Sequence, residues 1–185
     1  DSAGLEDRVQ EQELTVDKSK SDVAQAEEDF AIQEKTNLES MKQAETTKLL
    51  ARRAFEAYRD GSLPLERKRL ESELTLSREE LKRAQTEYEA SKRLFAKEII
   101  PKTQVEADEL GEKKATEKVT ISEKNLEHFN AFTCKDELKK LESDWDVSEI
   151  AYERVKQQCS SNLMQAQDIL DTKTKNRKLE AEQFV

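Results

Sequence analysis

The sequence predicts an all-α fold, a long antiparallel coiled-coil helical hairpin, and three observations predict it. The first is composition, because 39% of the 185 residues are charged, 5% are aromatic, and only three Gly and two Pro occur. The second is that apolar residues recur every three and four positions almost from end to end. The third is one apolar, proline-containing interruption near the centre, residues 94–106. We therefore expect a single domain spanning 1–185, with an ascending arm 5–98, a tip 99–103 and a descending arm 104–182.

The first helix, predicted from Leu5 to about Arg59, keeps one seven-residue register. Its leading row of seam residues, those that face a partner helix, is Val9, Val16, Val23, Phe30, Asn37, Ala44, Ala51 and Tyr58. The companion row is mostly small or polar: Gln12, Ser19, Ala26, Gln33, Ser40, Thr47 and Ala54. Such a seam permits close approach but supplies modest hydrophobic energy, so this helix needs neighbours to be stable.

Two breaks are predicted, near 60–64 and 130–134. At the first, Gly61 can take the left-handed conformation after a helix end, and Pro64 suits the first turn of the next helix. At the second, the apolar phase slips, and Thr133 begins a capping pattern. If the chain turns near its centre, the two breaks lie nearly opposite each other.

Between and beyond these breaks the seam continues in three further helices. The second carries Leu70, Leu74, Ser77, Leu81, Ala84, Tyr88, Ser91 and Phe95, and the third carries Ala115, Val119, Ser122, Leu126 and Phe129. The fourth carries Leu138, Leu141, Trp145, Ser148, Tyr152, Val155, Cys159, Asn162, Ala166 and Ile169. A capping box from Thr103 to Glu106 predicts where the third helix starts, and Asn37 and Asn162 are expected to set register.

The tip is the predicted contact surface, because an ordinary solvated turn would not carry apolar side chains. The predicted partner-binding residues are Leu94, Glu98, Ile99, Ile100, Pro101, Lys102 and Thr103.

No enzyme is expected, and neither a cofactor nor a metal. His128 is the only histidine, and no CxxC, HExxH or glycine-rich phosphate loop occurs. The acidic cluster Glu106, Asp108, Glu109 and Glu112 could bind a cation or a basic surface, or simply favour the positive end of a helix dipole. Nucleic acid is not an expected partner, because 41 acidic and 32 basic residues are mixed along the chain, with a net charge of -9.

Two further features bear on compartment. Cys134 and Cys159 would lie about 37 Å apart on one continuous helix, at roughly 1.5 Å per residue, so we expect two small buried seam residues and no disulfide between them. No stretch approaches the roughly 20 apolar residues of a membrane span, and the first residues lack a signal peptide's pattern. The sequence is therefore expected to be cytosolic or a mature or excised piece.

Three stretches of this sequence resemble the α-helical hairpin of HlyD-type membrane-fusion proteins, the periplasmic adaptors of tripartite efflux and secretion systems. They are Leu70–Leu74 leading to Glu80–Ala84, Leu94–Asp108, and Leu138–Asp144. The likeness spans about 61–170.

The resemblance implies a periplasmic arm, anchored in the inner membrane in the full-length protein, that meets a TolC-like outer-membrane channel at its tip. It also implies a homo-oligomer, an inner-membrane transporter as second partner, and flanking lipoyl and β-barrel domains, which residues 1–185 lack. The family's tip motif is arginine, leucine and serine; the matching positions are Ala90, Leu94 and Pro101, so the leucine alone is retained. Glu98 stands where a glycine is common.

The alternative interpretation is a structural coiled coil, such as a spectrin-like bundle acting as a scaffold, in which 94–106 merely connects helices. It predicts that Ile99 and Ile100 are buried within the molecule.

Overall fold

The computed structural model describes residues 2–182 and confirms the all-α hairpin. Its elements are α1 (Ser2–Ala57), a first π turn (Tyr58–Ser62), α2 (Leu63–Phe95), α3 (Lys102–His128), a second π turn (Phe129–Thr133) and α4 (Cys134–Glu182). A π turn here means a short helical segment closed by hydrogen bonds from residue i+5 to residue i. Apart from the connection at 96–101, all of the described chain is helical.

The chain divides into two compact units. Within the described residues, a terminal unit combines 2–50 with 146–182, and a central unit comprises 51–145. The terminal unit therefore pairs the two ends of the chain, whereas the central unit contains the turn of the hairpin.

In the terminal unit, α1 and α4 run antiparallel and meet through a seam of small and polar side chains. Val23, Ala26 and Cys159 are buried, and so is Asn37, which is 8% exposed. The Asn37 side-chain amide donates a hydrogen bond of 2.8 Å to the carbonyl oxygen of Cys159 on the other helix. Gln33 donates to the Asn37 side-chain oxygen at 2.9 Å, so this buried amide is satisfied on both sides. This cross-helix hydrogen bond supports the predicted role of Asn37 in setting the register of the two helices.

Two ion pairs at different positions along the seam also join α1 and α4. Lys173 Nζ lies 2.9 Å from Asp22 Oδ2, and Lys48 Nζ lies 2.8 Å from Glu149 Oε1. The hydrogen bond and charge of Lys173 hold the pKa of the Asp22 carboxyl below its ordinary value, and the hydrogen bond to Glu149 raises the pKa of Lys48. Lys48 also lies over the Tyr152 ring, 5.2 Å from its centroid.

The predicted seam is correct over most of α1 and wrong at three positions. Val9, Thr47 and Ala54 are exposed, while Lys48 and Phe55 occupy the half-buried places. A straight α-helix with 3.6 residues per turn drifts by about 20° per heptad against a strict seven-residue repeat. Early in α1 each buried or half-buried companion residue lies three residues after its leading-row residue. Later in α1 it lies four residues after, as Lys48 follows Ala44. In α4 the drift likewise leaves Ile169 exposed and Leu170 half-buried.

In the central unit, α2 and α3 pack antiparallel across two serine-centred contacts. The Ser77 and Ser122 hydroxyls are 3.1 Å apart, and Ser77 is 1% exposed, the most buried side chain described. Nearer the turn, the buried Ser91 hydroxyl donates to Asp108 Oδ2. Small side chains let the helices approach closely, and each hydroxyl finds its partner across the seam.

An apolar cluster of the central unit lies where the two π turns face each other. Leu63, Leu70, Phe129 and Cys134 are buried there, and Tyr58, Leu126 and Leu138 pack against them. Arg67 Nε also donates to Asn130 Oδ1 across the pair at 3.0 Å. The predicted opposition of the two interruptions is confirmed.

The nature of those interruptions differs from the prediction. The chain stays helical through both, with the N–H of Leu63 donating to the Tyr58 carbonyl and the N–H of Cys134 donating to that of Phe129. Gly61 has no positive φ, so its predicted left-handed helix end is wrong. The capping pattern predicted from Thr133 is also wrong, because that residue is inside the second π turn. Each π turn accommodates one extra residue and keeps the seam residues on the packed face.

Candidate docking surface at the hairpin tip

The turn of the hairpin is a Schellman motif at the end of α2. The N–H of Ile99 donates to the carbonyl oxygen of Leu94 at 3.0 Å, and the N–H of Glu98 donates to that of Phe95 at 2.8 Å. Glu98 occupies the left-handed position of this motif with φ 58°, and it is the only non-glycine residue of the described chain with a positive φ. Helix carbonyls that would otherwise lack partners are thereby satisfied.

The connection is displaced from its predicted limits. It runs over 96–101, so α2 ends before residue 98 and α3 already includes Lys102 and Thr103. Pro101, in an extended conformation with φ −74° and ψ 156°, is the N-cap of α3. The predicted capping box is wrong, because the helix has started before Thr103, and Glu106 pairs with Lys102 at 3.0 Å.

Asp108 fixes the base of the tip. One of its carboxylate oxygens accepts the bond from Ser91 on α2, and the other accepts a bond of 3.1 Å from the side-chain amide of Gln104. Sequence reasoning had placed Asp108 only in an acidic cluster. The signal that could have found this contact is the seam serine, since a polar seam residue requires a partner on the facing helix.

The tip exposes apolar side chains. The exposed fraction is 62% for Ile99, 43% for Phe95 and 39% for Leu94. Among the other predicted contact residues, Ile100 is half-buried, and the exposed ones are Glu98, Pro101, Lys102 and Thr103. We call Leu94, Phe95, Glu98 and Ile99 the tip surface. Phe95 is an addition, because the heptad pattern had assigned it to the seam.

Other candidate sites have local partners instead. His128 is exposed, and its Nδ1 lies 3.2 Å from the Thr133 hydroxyl. In the acidic cluster, Glu109 pairs with Lys113 at 2.6 Å, and that hydrogen bond lowers the pKa of Glu109. Over residues 2–182, no group of three or more His, Cys, Asp or Glu side chains is arranged to hold a metal ion. Cys134 and Cys159 are both buried free thiols, as expected of seam residues.

Comparison with known proteins adds no assignment: no protein-family model, curated protein or solved structure matches this chain. Within the described helices, none has the length and apolarity needed to cross a membrane. The features of this chain that point to a function are the tip surface and the seam that supports it.

Proposed function

We propose that this chain is the docking arm of a periplasmic adaptor, which joins an inner-membrane transporter to an outer-membrane channel through the hairpin tip. The observation that carries the proposal is the exposure of Leu94, Phe95 and Ile99 at the turn of a strongly charged hairpin. Exposed apolar surface costs about 25 cal/mol per Å², a cost that docking removes. The scaffold alternative predicts that Ile99 and Ile100 are both buried. The 62% exposure of Ile99 favours docking, whereas Ile100 is half-buried.

The hairpin suits this role because its tip is held in one shape. The Schellman bonds fix the end of α2, and the contacts of Asp108 with Ser91 and Gln104 join α2 to α3 directly below the turn. A preorganised tip loses little conformational entropy on docking, so more of the apolar contact energy contributes to affinity.

The resemblance to HlyD-type adaptors gives this docking arm its proposed setting. It supplies the periplasmic location, inner-membrane anchoring of the full-length protein, assembly of several copies, and a TolC-like channel as partner. The tip retains Leu94 of that family's motif, at the position where α2 begins its C-terminal Schellman bonds. The transporter would be contacted through domains outside these 185 residues.

Site-specific crosslinking in cells tests the proposal. A full-length protein carrying Lys102→Cys presents an exposed thiol beside the tip surface, and the buried Cys134 and Cys159 give little background. The matched control is Lys124→Cys, which is also an exposed lysine of α3 but lies far from the turn. We expect position 102 to crosslink to an outer-membrane protein and position 124 to do so poorly.

Two results would overturn the proposal. One is crosslinking of position 102 exclusively to cytosolic proteins. The other is an equal yield from positions 102 and 124, because docking through the tip would then have no support.

A further inference from the structure

The seams of the two units differ in the side chains that they bury. Among the described side chains of the terminal unit, Val23 is the only large aliphatic or aromatic one that is buried. The other buried seam residues of that unit are small or polar: Ser19, Ala26, Asn37, Ser148 and Cys159. The central unit buries large apolar side chains at Leu63, Leu70, Leu74, Val119 and Phe129. Because burial of such side chains dominates helix pairing, the terminal unit is held together more weakly.

Two other kinds of contact leave this difference in place. The ion pairs of the terminal unit, Asp22 with Lys173 and Lys48 with Glu149, are partly exposed, and pairs of that kind add little stability. Half-buried large apolar or aromatic side chains are at least as frequent in the central unit. In the terminal unit they are Val16, Phe30, Met41, Tyr152, Val155, Leu163 and Leu170. In the central unit they are Phe55, Tyr58, Leu81, Tyr88, Ile100, Val105, Leu126, Leu138, Leu141 and Trp145.

The middle of the terminal seam is joined by a reciprocal pair of hydrogen bonds. The Asn37 amide donates to the carbonyl oxygen of Cys159 at 2.8 Å, and the Cys159 thiol donates to the carbonyl oxygen of Asn37 at 3.6 Å. Such bonds add little net stability, because each group bonds to water when the helices separate. They are satisfied in one register only, however, so they direct the two helices to pair again in the same register.

We infer that the terminal unit opens and closes reversibly by itself, with α1 before residue 51 parting from α4 after residue 145 while the central unit stays folded. Helices in proteins owe most of their stability to packing, so this separation exposes backbone amides and the Cys159 thiol. The Schellman bonds and the serine-centred contacts lie in the central unit and persist. The inference goes beyond the docking proposal and does not depend on it: one unit keeps its shape, and the other yields.

The two cysteines test the inference, because each unit buries one of them. Cys134 of the central unit is 4% exposed, and Cys159 of the terminal unit is 7% exposed. Both thiols of the purified chain are labelled with iodoacetamide without denaturant, and peptide mass spectrometry measures each separately. Each rate is divided by the rate of the same thiol in the urea-unfolded chain, which removes differences in intrinsic reactivity. We expect Cys159 to be labelled about a hundredfold faster than Cys134, and both far more slowly than in the unfolded chain.

A matched pair of leucine variants shows which unit controls each thiol. Leu74 is buried in the seam of α2, whereas Leu76 is an exposed leucine of the same helix. Leu74→Ala should speed the labelling of Cys134 at least about thirtyfold, because it leaves a cavity in the central unit. It should leave the labelling of Cys159 within twofold, and Leu76→Ala should leave both thiols within twofold. Urea should speed the labelling of Cys159 less steeply than that of Cys134, because opening one unit exposes less surface than unfolding both.

Three results would overturn the inference. Equal normalised rates for the two thiols, or faster labelling of Cys134, would mean that the terminal unit does not open first. A Cys159 rate that is independent of urea would mean that the reagent reaches this thiol in the closed seam. Equal acceleration of both thiols by Leu74→Ala would mean that the two units open together. The wild-type rates and their urea dependence decide the question even if Leu74→Ala does not fold, and docking is tested separately at position 102.

Discussion

Deletion of Gly61 should leave the hairpin intact, although it removes a residue from a long helix. The seam step across the first π turn is five residues, from Tyr58 to Leu63, where ordinary steps are three or four. Deleting one residue makes this step four, so an α-helix can replace the π turn with Leu63 still on the packed face. Gly61 is exposed, and no other atom lies within 4 Å of the place where a Cβ would be. Removing a glycine from a helix gains about 1 kcal/mol. We expect a rise in Tm of about 2–4 °C.

The control is deletion of Glu79, an exposed α2 residue within regular α-helix. That deletion rotates the following seam residues by about 100°, from 3.6 residues per turn. The half-buried Leu81 and Tyr88 then leave the seam, at a cost of about 1.5–3 kcal/mol if each loses half of a full burial of 1.5–3 kcal/mol. Thermal unfolding followed by circular dichroism at 222 nm measures both variants. Equal destabilisation by the two deletions would refute the assignment of the five-residue step to a π turn.

Three further perturbations test the tip, the seam and the ion pairs. Glu98→Gly should raise the free energy of unfolding by about 1 kcal/mol in urea titrations, because glycine tolerates the positive φ. Asn37→Leu should raise stability but loosen the choice of register and oligomeric state, measured by light scattering after gel filtration. The lowered pKa of Asp22 contributes stability above its ordinary value of 3.8, which is lost as pH falls through the lower folded value. Lys173→Ala should therefore reduce the loss of Tm below pH 4.

Each of these three has a result that would contradict it. Glu79→Gly, the matched change inside α2, should cost about 1 kcal/mol, and a loss of that size from Glu98→Gly would mean that the positive φ carries no strain. If Asn37→Leu keeps the oligomeric state of the wild type but is less stable, then the amide stabilises the helix pair and does not determine its register. A Tm that falls equally on acidification with and without Lys173 would remove the pair with Asp22 from the pH response.

The antiparallel seam could be predicted from sequence because burial in a two-helix pair follows spacing almost directly. Val119, Ser122, Leu126 and Phe129 were assigned from spacing alone, and all are buried or half-buried. Helical drift accumulates along the two long helices, and it moved the companion positions near Thr47 in α1 and put Leu170 in place of Ile169 in α4.

The π turns and the tip could not be predicted because each depends on a competition between local preference and packing. Gly61 and Pro64 resemble a helix end, but burial of Leu63 against Phe129 keeps the chain helical and puts the extra residue into a wider turn. At the tip, a glutamate gives no signal of a left-handed residue, so Glu98 appeared only as one of several contact residues. The extended Pro101 replaced the expected cap because the helix starts directly after it.

The two serine-centred contacts of the central unit restrict how the length of α2 and α3 can change. They are 14 residues apart in both helices, 91 − 77 in α2 and 122 − 108 in α3, which is two heptads. An insertion or deletion in one helix alone would misalign the contacts between α2 and α3 beyond it. A tolerated change in length therefore adds or removes the same number of heptads in both helices. Each matched heptad moves the tip by about 10 Å, at 1.5 Å per residue. The distance between the tip and the π turns can therefore take only discrete values, which differ by whole heptads.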